Sequence, residues 1–279
     1  MKFTPAELKT SQFHQYLLGA IAPRPICFAS TIDKEGNPNL SPFSFFNVFG
    51  SKPPILIFSP ARRVRDNSIK HTLENVIETK EVVINIVNYA IVQQMSLSSC
   101  EYPKGVSEFE KSGLTPLASE LVKPFRVKES PVQFECKVLE VKETGTEGGA
   151  GNLIICEVLM MHINDEVLNE QQQIDPHKID LVARMGFDYY CRASGNAVFE
   201  VAKPNQQLGI GLDALPDFIK QSNILTGNHL GQLGNSTSIP SPDENFIMDA
   251  DRDPEELARD YLDKKMVDEA WQVLLKTAK

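Results

Sequence analysis

Residues 25–48, PICFASTIDKEGNPNLSPFSFFNV, carry most of the fold prediction. The first eight are apolar or β-branched for the most part, as in a strand, and the polar run 33–38 that follows is typical of a turn. Gly36 and Asn37 can supply the positive φ angles that a tight connection needs. Residues 39–48, rich in serine and phenylalanine, predict the returning segment. The stretch therefore predicts an antiparallel hairpin near the amino terminus.

More strands are predicted on the carboxyl side of this hairpin. Short apolar runs predict buried strands, and residues 132–141 alternate apolar and polar side chains, as does a strand with one face in solvent. A near-continuous apolar run follows the glycine-rich loop 145–151. The predicted strands are 55–59, 82–87, 132–141 and 152–163. Short helices are predicted at about 72–80, with Thr72 as N-cap, and at about 89–99.

The sequence changes character after about residue 175. A short helix is predicted at 213–219, whereas 226–245 is rich in Gly, Ser, Asn and Pro and predicts a loop or arm. Asp253 followed by Pro254 predicts the start of one final helix with an apolar stripe. We therefore expect a mainly β domain over 1–200 and a C-terminal extension of loop and helices over 201–279.

Composition excludes several classes of protein. Of the 279 residues, 42% are hydrophobic and 23% charged, which is ordinary for a globular chain and unlike a disordered one. A net charge of −9 disfavours nucleic acid and anionic membranes as partners. No signal peptide, membrane span or CxxC pair can be recognised, and the five cysteines are widely spaced. These observations favour a cytoplasmic protein with free thiols.

Two segments carry side chains suited to a nucleotide cofactor. Residues 39–47 place three phenylalanines among Ser41, Ser44 and Asn47, which could form a wall for a flat ring with hydrogen-bond donors at its edge. The alternative is that these phenylalanines belong to the core. Residues 62–72 place four basic side chains before a predicted helix, where anions bind well. The alternative there is a solvated basic loop.

Several motifs occur together in the order found in one known family. They are Pro23-Arg-Pro25, Ser30-Thr31, Gly36-Asn37, Ser41–Asn47, Pro53-Pro54, Phe58-Ser59, Lys70–Asn75, Glu81–Asn85, Glu108–Thr115 and Glu129–Cys136. Over roughly residues 15–190 the chain resembles the flavin reductase-like, FMN-binding split-barrel family, in particular its flavoredoxin-like branch. The resemblance implies a mainly β, Greek-key split barrel that forms a homodimer and binds FMN non-covalently near the subunit interface.

The resemblance also implies roles for individual residues. Thr31 would meet the ribityl chain or ring edge; Ser44, Phe45, Phe46 and Asn47 would line the isoalloxazine ring; and Ser59, Arg62, Lys70 and Thr72 would hold the phosphate. His71 stands where the family commonly has aspartate, so whatever that aspartate organises is not carried over. His162 ends the last long strand and would contact nicotinamide, the alternative being a strand-end histidine hydrogen-bonded to backbone or water.

The expected activity follows from the cofactor. In such proteins the flavin performs the redox chemistry, so no catalytic side chain and no metal site are predicted. We expect an FMN-dependent oxidoreductase that takes electrons from NADH or NADPH and passes them to a flavin, a metal or a redox protein. The alternatives are a flavoredoxin-type electron carrier reduced by a partner protein, and a binding protein without flavin.

Overall fold

The computed structural model describes residues 1–204, 207–249 and 251–277 and divides into two compact units, residues 1–199 and 200–279. The strands are β1 Arg24–Pro25, β2 Cys27–Ile32, β3 Pro38–Phe43, β4 Phe46–Ser51, β5 Pro54–Phe58, β6 Glu81–Ile86, β7 Pro116–Leu117, β8 Arg126–Val127, β9 Val132–Glu143, β10 Asn152–Ile163, β11 Val182–Arg184 and β12 Tyr190–Arg192. The α-helices are α1 Thr10–Ala20, α2 His71–Thr79, α3 Val92–Leu97, α4 Glu108–Ser112, α5 Asp217–Lys220, α6 Gly227–Gly234, α7 Pro254–Asp263 and α8 Val267–Thr277. Short 3-10 turns lie at Pro5–Glu7, Tyr89–Ile91, Asp165–Val167 and Gly195–Ala197.

A seven-stranded sheet dominates the first unit. Its order is β3-β2-β6-β9-β10-β5-β4, and every neighbouring pair is antiparallel. The predicted hairpin is confirmed as β2 and β3, with Gly36 at φ 89° in the turn. Asn37 does not have positive φ. Instead its backbone N–H and side-chain amide both donate to the Asp33 carboxylate at 2.8 Å.

The predicted return strand 39–48 is in fact two strands. It breaks at Ser44 and Phe45, so that β3 pairs with β2 at one edge of the sheet while β4 pairs with β5 at the other edge. Seven flat strands would separate those edges by about 29 Å. The step from Phe43 to Phe46 spans at most about 11 Å. The sheet must therefore curl until its two edges nearly meet, which gives it the shape of a barrel.

The barrel interior is apolar and fully buried. Its residues include Phe43 and Phe58, whose ring centroids lie 5.1 Å apart, together with side chains from four other strands and α2. The predicted buried thiols Cys27, Cys136 and Cys156 are confirmed here. Burial raises the pKa of the Cys27 thiol, so it behaves as a small apolar side chain.

Strand β9 differs from its prediction. Its polar face was expected in solvent, but Gln133 and Glu135 are buried. The reason is that the segment 118–127 covers that face: the Glu135 carboxylate accepts the N–H groups of residues 120–122, and the Gln133 amide donates to the Val127 carbonyl at 3.2 Å. Alternation of polar side chains does not distinguish water from a covering loop.

Helix α2 begins one residue before its prediction, and its cap was assigned to the wrong residue. Lys70 is the N-cap, and Thr72 lies inside the first turn with its side chain fully buried. The Thr72 side chain is buried because its hydroxyl accepts a hydrogen bond from the Asn39 side chain of β3. The predicted helical segment at 89–99 is confirmed as a 3-10 turn followed by α3.

The second unit is helical. Residues 226–245 do not form only a loop, because α6 begins after Thr226, whose hydroxyl caps the His229 N–H, and Leu233 packs into the core of this unit. Asp253 caps α7 as predicted. The single final helix is instead a pair, α7 and α8, separated by Lys265 in the left-handed region at φ 63°. Within the predicted helix at 213–219, only residues 217–219 are α-helical, and they belong to α5, Asp217–Lys220.

None of the helices in the described part of the chain combines the length and apolar character needed to cross a bilayer.

Candidate functional site

A cavity of about 320 Å³ opens where β3 passes into β4. Its lining residues are Ile21, Pro23, Arg24, Pro25, Ser44, Phe45, Phe46, Asn47, Phe49, Ile57, Ser59 and Leu153. Most of the wall is apolar, with a few polar groups placed around it, which is the usual make-up of a small-molecule site. Its volume suits a flat ring system rather than an entire nucleotide.

The break between the two edge strands forms this cavity. Phe43 turns into the barrel core, whereas Phe45 is 38% exposed and Ser44 lies beside it at the cavity wall. The Ser59 N–H donates to the Phe45 carbonyl at 2.9 Å and so fixes the end of β5 to the break. The curl of the sheet thus places Ser59 next to the residues that were predicted to form a ring-binding wall.

Three polar groups at the cavity have hydrogen-bonding capacity that the described residues leave unused. Among the described residues, the Ser59 hydroxyl has no hydrogen-bond partner, although Ser59 is only 9% exposed. Within the same described ranges, the side-chain NH₂ of Asn47 has no acceptor, and the Ser44 Oγ has only a weak donor, the Arg24 Nε at 3.5 Å. Short polar side chains with free hydrogen-bond donors are suited to the carbonyl and nitrogen edge of a heteroaromatic ring.

Arg24 forms part of the cavity wall, a position that the sequence analysis did not recognise. It is only 6% exposed. Its guanidinium donates to the carbonyls of Leu18 (2.5 Å), Ile21 (2.7 Å) and Met185 (2.9 Å), so it fastens the end of α1 and the segment after β11 to the cavity. Burial, and then the positive charge of Arg184, lower the pKa of Arg24. Arginine nevertheless stays charged in proteins.

The basic segment 62–72 meets the other predicted segment, as the phosphate hypothesis requires. The Lys70 ammonium lies over the Phe43 ring, 5.3 Å from its centroid, and Phe43 directly precedes Ser44 of the cavity. Among the residues that the structure describes, this ammonium has neither a hydrogen-bond acceptor nor an ion-pair partner. Burial, and next the charge of Arg63, lower the pKa of Lys70. The negative charge of a bound anion would act in the opposite direction and raise this pKa.

The arginines of this segment are turned toward their own loop. Arg62 donates through Nε to the Asn67 Oδ1 at 2.7 Å and through Nη2 to the Asn67 carbonyl at 3.1 Å. Arg63 bonds Glu101, Ser68 and the Ile69 carbonyl. Arg65 pairs with Asp66 and Glu101. Of these four basic side chains, Lys70 is therefore the one that makes no side-chain hydrogen bond or ion pair in the described structure.

Thr31 and Thr72 lie behind the site rather than at its surface. Both are fully buried. The Asn39 Nδ2 donates to the Thr31 Oγ1 at 3.1 Å and to the Thr72 Oγ1 at 3.0 Å, and Asn75 donates to Thr31 at 3.1 Å. This network joins β2, β3 and α2. The two hydroxyls hold the cavity segment and the basic segment together and do not face the cavity.

His162 does not line the cavity of its own chain. It lies nine residues along β10 from Leu153, a separation of about 30 Å in an extended strand. Its Nε2 is 2.7 Å from the carboxylate of the buried Glu135. The strand-end histidine thus has a carboxylate partner, and its contact with nicotinamide stays a prediction.

The donor set fits a flavin. Phe45, Phe46 and Leu153 supply apolar surface for the ring. The free polar groups of Ser44, Asn47 and Ser59 are suited to its edge. Lys70 supplies a cation outside the cavity. The buried Asn152 donates through Nδ2 to the Pro60 carbonyl at 2.8 Å and has no partner for its Oδ1 in the described structure, but it does not line the cavity.

Comparisons with known proteins agree with this geometry. Residues 19–179 match the family model described as flavin reductase like domain. An uncharacterised protein of Aquifex aeolicus is 38% identical over 201 residues, covering 72% of this chain and 100% of that protein. The structure of nitrilotriacetate monooxygenase component B from Bacillus cereus has a TM-score of 0.67 and 28% identity, covering 72% and 98% of the two chains.

A structure from Shewanella frigidimarina, described as a flavin reductase with a split barrel domain, has a TM-score of 0.61 and 29% identity and covers 72% of this chain and 100% of that one. The predicted family and the mainly β split-barrel fold are confirmed by these similarities.

Proposed function

The chain belongs to the flavin reductase like family, and from that premise we propose that it is an FMN-dependent oxidoreductase reduced by NADH or NADPH. The observation that carries the proposal is the apolar cavity, whose polar groups have free hydrogen-bond donors. Phe43 connects it to the Lys70 ammonium, which has no ion-pair partner among the described residues. A flavin nucleotide has matching parts, a flat ring with a polar edge and an anionic tail.

The chain's own residues would bind and orient this cofactor. Phe45 and Phe46 would cover the isoalloxazine ring, and Ser44, Asn47 and Ser59 would donate to its edge or to the ribityl chain. Lys70 would hold the phosphate, with Arg62 at the outer side of the turn. Bound FMN supplies the redox chemistry, accepting a hydride equivalent and releasing electrons to an acceptor. The protein's contribution is position and electrostatics.

We further propose that the active form is a homodimer. The apolar side chains at the cavity mouth include Ile21 and Phe49, which are 66% and 64% exposed in the single chain. Adjacent exposed apolar groups of this size favour an interface. A second copy covering the mouth would exclude water from the ring. The five free cysteines suit the reducing cytoplasm in which we place the protein.

Anaerobic titration of the FMN-loaded protein tests the activity. We expect the yellow absorption of bound FMN to bleach on addition of stoichiometric NADH or NADPH and to return when oxygen is admitted. If bound FMN is reduced by a redox protein but by neither NADH nor NADPH, the protein is an electron carrier and this proposal is replaced. Failure to bind FMN at all would overturn both.

A further inference from the structure

The charge of Arg24 is the least expected feature of the cavity. A buried guanidinium ordinarily faces a carboxylate, because removing a lone cation from water is costly. Arg24 has no carboxylate within ion-pair distance among the described residues. Its partners are three neutral backbone carbonyls and, weakly, the Ser44 hydroxyl.

The charge that acts on Arg24 from across the strand pair is also positive. Arg24 of β1 is directly opposite Arg184 of β11 in the antiparallel register. Arg184 is also without a carboxylate in the described structure: its donors go to the Tyr190 hydroxyl at 3.1 Å and the Phe187 carbonyl at 3.1 Å. Carbonyl dipoles stabilise a cation but do not cancel its charge. The charge of Arg24 at the cavity wall is therefore not paired with a carboxylate of the described residues.

A flavin ring differs in charge between its redox states. Oxidised FMN has a neutral ring, whereas uptake of two electrons and one proton, FMN + 2e⁻ + H⁺ → FMNH⁻, places the proton on N5 and leaves a negative charge about N1. A fixed buried cation stabilises the charged form selectively, by the same rule that shifts the pKa of an acid beside an arginine.

We infer that Arg24 makes this cavity selective for the anionic, two-electron-reduced form of its flavin. The inference rests on the proposed function, because it needs FMN in this cavity. Its consequence is that the protein binds reduced FMN more tightly than oxidised FMN. The two-electron reduction potential of bound FMN is therefore higher than that of free FMN in water.

The test compares the dissociation constants of oxidised FMN and dithionite-reduced FMN, measured anaerobically at mildly alkaline pH. For the unmodified protein we expect reduced FMN to bind at least tenfold more tightly. Arg24→Gln should lower that preference at least tenfold, which corresponds to a fall of about 30 mV in the two-electron potential of the bound flavin.

Two further variants separate charge from structure. Arg24→Lys keeps the charge but not the fork of hydrogen bonds, so both forms of FMN should bind more weakly while the preference stays within threefold of the original. Arg184→Gln removes the cross-strand charge, which lies outside the cavity lining, and should likewise change the preference by less than threefold. Circular dichroism establishes that each variant is folded.

Three outcomes would overturn the inference. One is equal affinity of the unmodified protein for both forms, a result that needs no variant to fold. Another is an unchanged preference in Arg24→Gln. The third is an equal loss of preference in Arg24→Lys and Arg24→Gln, which would assign Arg24 a purely structural role. If neither form of FMN binds the unmodified protein, the proposed function itself fails.

Discussion

Replacing Glu135 with alanine is expected to lower the free energy of unfolding of the barrel unit by about 3 kcal/mol. The carboxylate is fully buried and accepts the N–H groups of Glu120 (2.9 Å), Leu121 (2.6 Å) and Val122 (3.2 Å), as well as His162 at 2.7 Å. Removing it leaves several donors without an acceptor and frees the segment that covers β9.

Denaturant unfolding followed by circular dichroism measures this change. Fluorescence of Trp271, the single tryptophan, reports on the second unit and should shift little. Glu140→Ala is the matched control, because Glu140 is exposed on the same strand and makes no side-chain hydrogen bond or ion pair in the described structure. Equal stability of the two variants would contradict the structural role of Glu135.

The effect of Glu135 should depend on pH. Burial acts to raise the pKa of this carboxyl, but the backbone N–H donors and His162 outweigh it, so the pKa is lowered from the ordinary 4.5. A carboxylate with a lowered folded-state pKa contributes stability above its unfolded pKa and loses it as the pH falls through the folded value. The stability difference between the original protein and the alanine variant should therefore shrink below about pH 4.5.

Lys70→Ala is expected to weaken FMN binding about 30-fold, or about 2 kcal/mol, because a charge-assisted contact to phosphate is lost. Riboflavin has the same ring and ribityl chain but no phosphate, so its affinity should change less than twofold. Lys34→Ala is the matched control: it removes an equal charge at an exposed ion pair with Glu78. Fluorescence quenching titrations provide the six dissociation constants, for the unmodified protein and the two variants with each ligand.

The Lys70 result has a clear contrary outcome. Equal losses of FMN and riboflavin affinity in Lys70→Ala would show that the lysine supports the cavity rather than the phosphate. No loss of either would move the phosphate site to other residues, of which Arg62 on the outer side of the turn is the first candidate.

The strands were predictable where their signal is local. β10 has the predicted bounds because a near-continuous apolar run with a glycine-rich loop before it leaves few alternatives. The break at Ser44 was missed because it results from the curl of the whole sheet, which no short window contains. Pro42, which has no N–H to donate to a ladder, lies in the edge strand β3 one residue before that strand ends.

The second unit shows the same limit. Residues 226–245 have the composition of a loop, and α6 forms there because His229 and Leu233 are buried against α7 and α8. Tertiary packing overrides the low helix propensity of its glycines. The break between α7 and α8 at Lys265 was likewise not predictable, because glycine or asparagine, and not lysine, is expected in the left-handed conformation.

The segments that line the candidate site were predictable, but which of the nearby polar residues are buried was not. Ser44, Phe45, Phe46, Asn47 and Ser59 line one cavity, so their segments were chosen well, although their roles toward FMN stay predictions. Arg24 was missed because its burial depends on carbonyls from α1 and from Met185, 161 residues away along the chain. The buried positions of Thr31 and Thr72 likewise depend on Asn39 and Asn75.

A crystal structure of the protein grown with FMN tests the central claim most directly. We predict ring density inside the cavity against Phe46 and Leu153, with the phosphate within hydrogen-bonding distance of the Lys70 ammonium. Density for FMN at a site that shares none of these residues, or a cavity that stays closed to FMN at saturating concentration, would contradict the account.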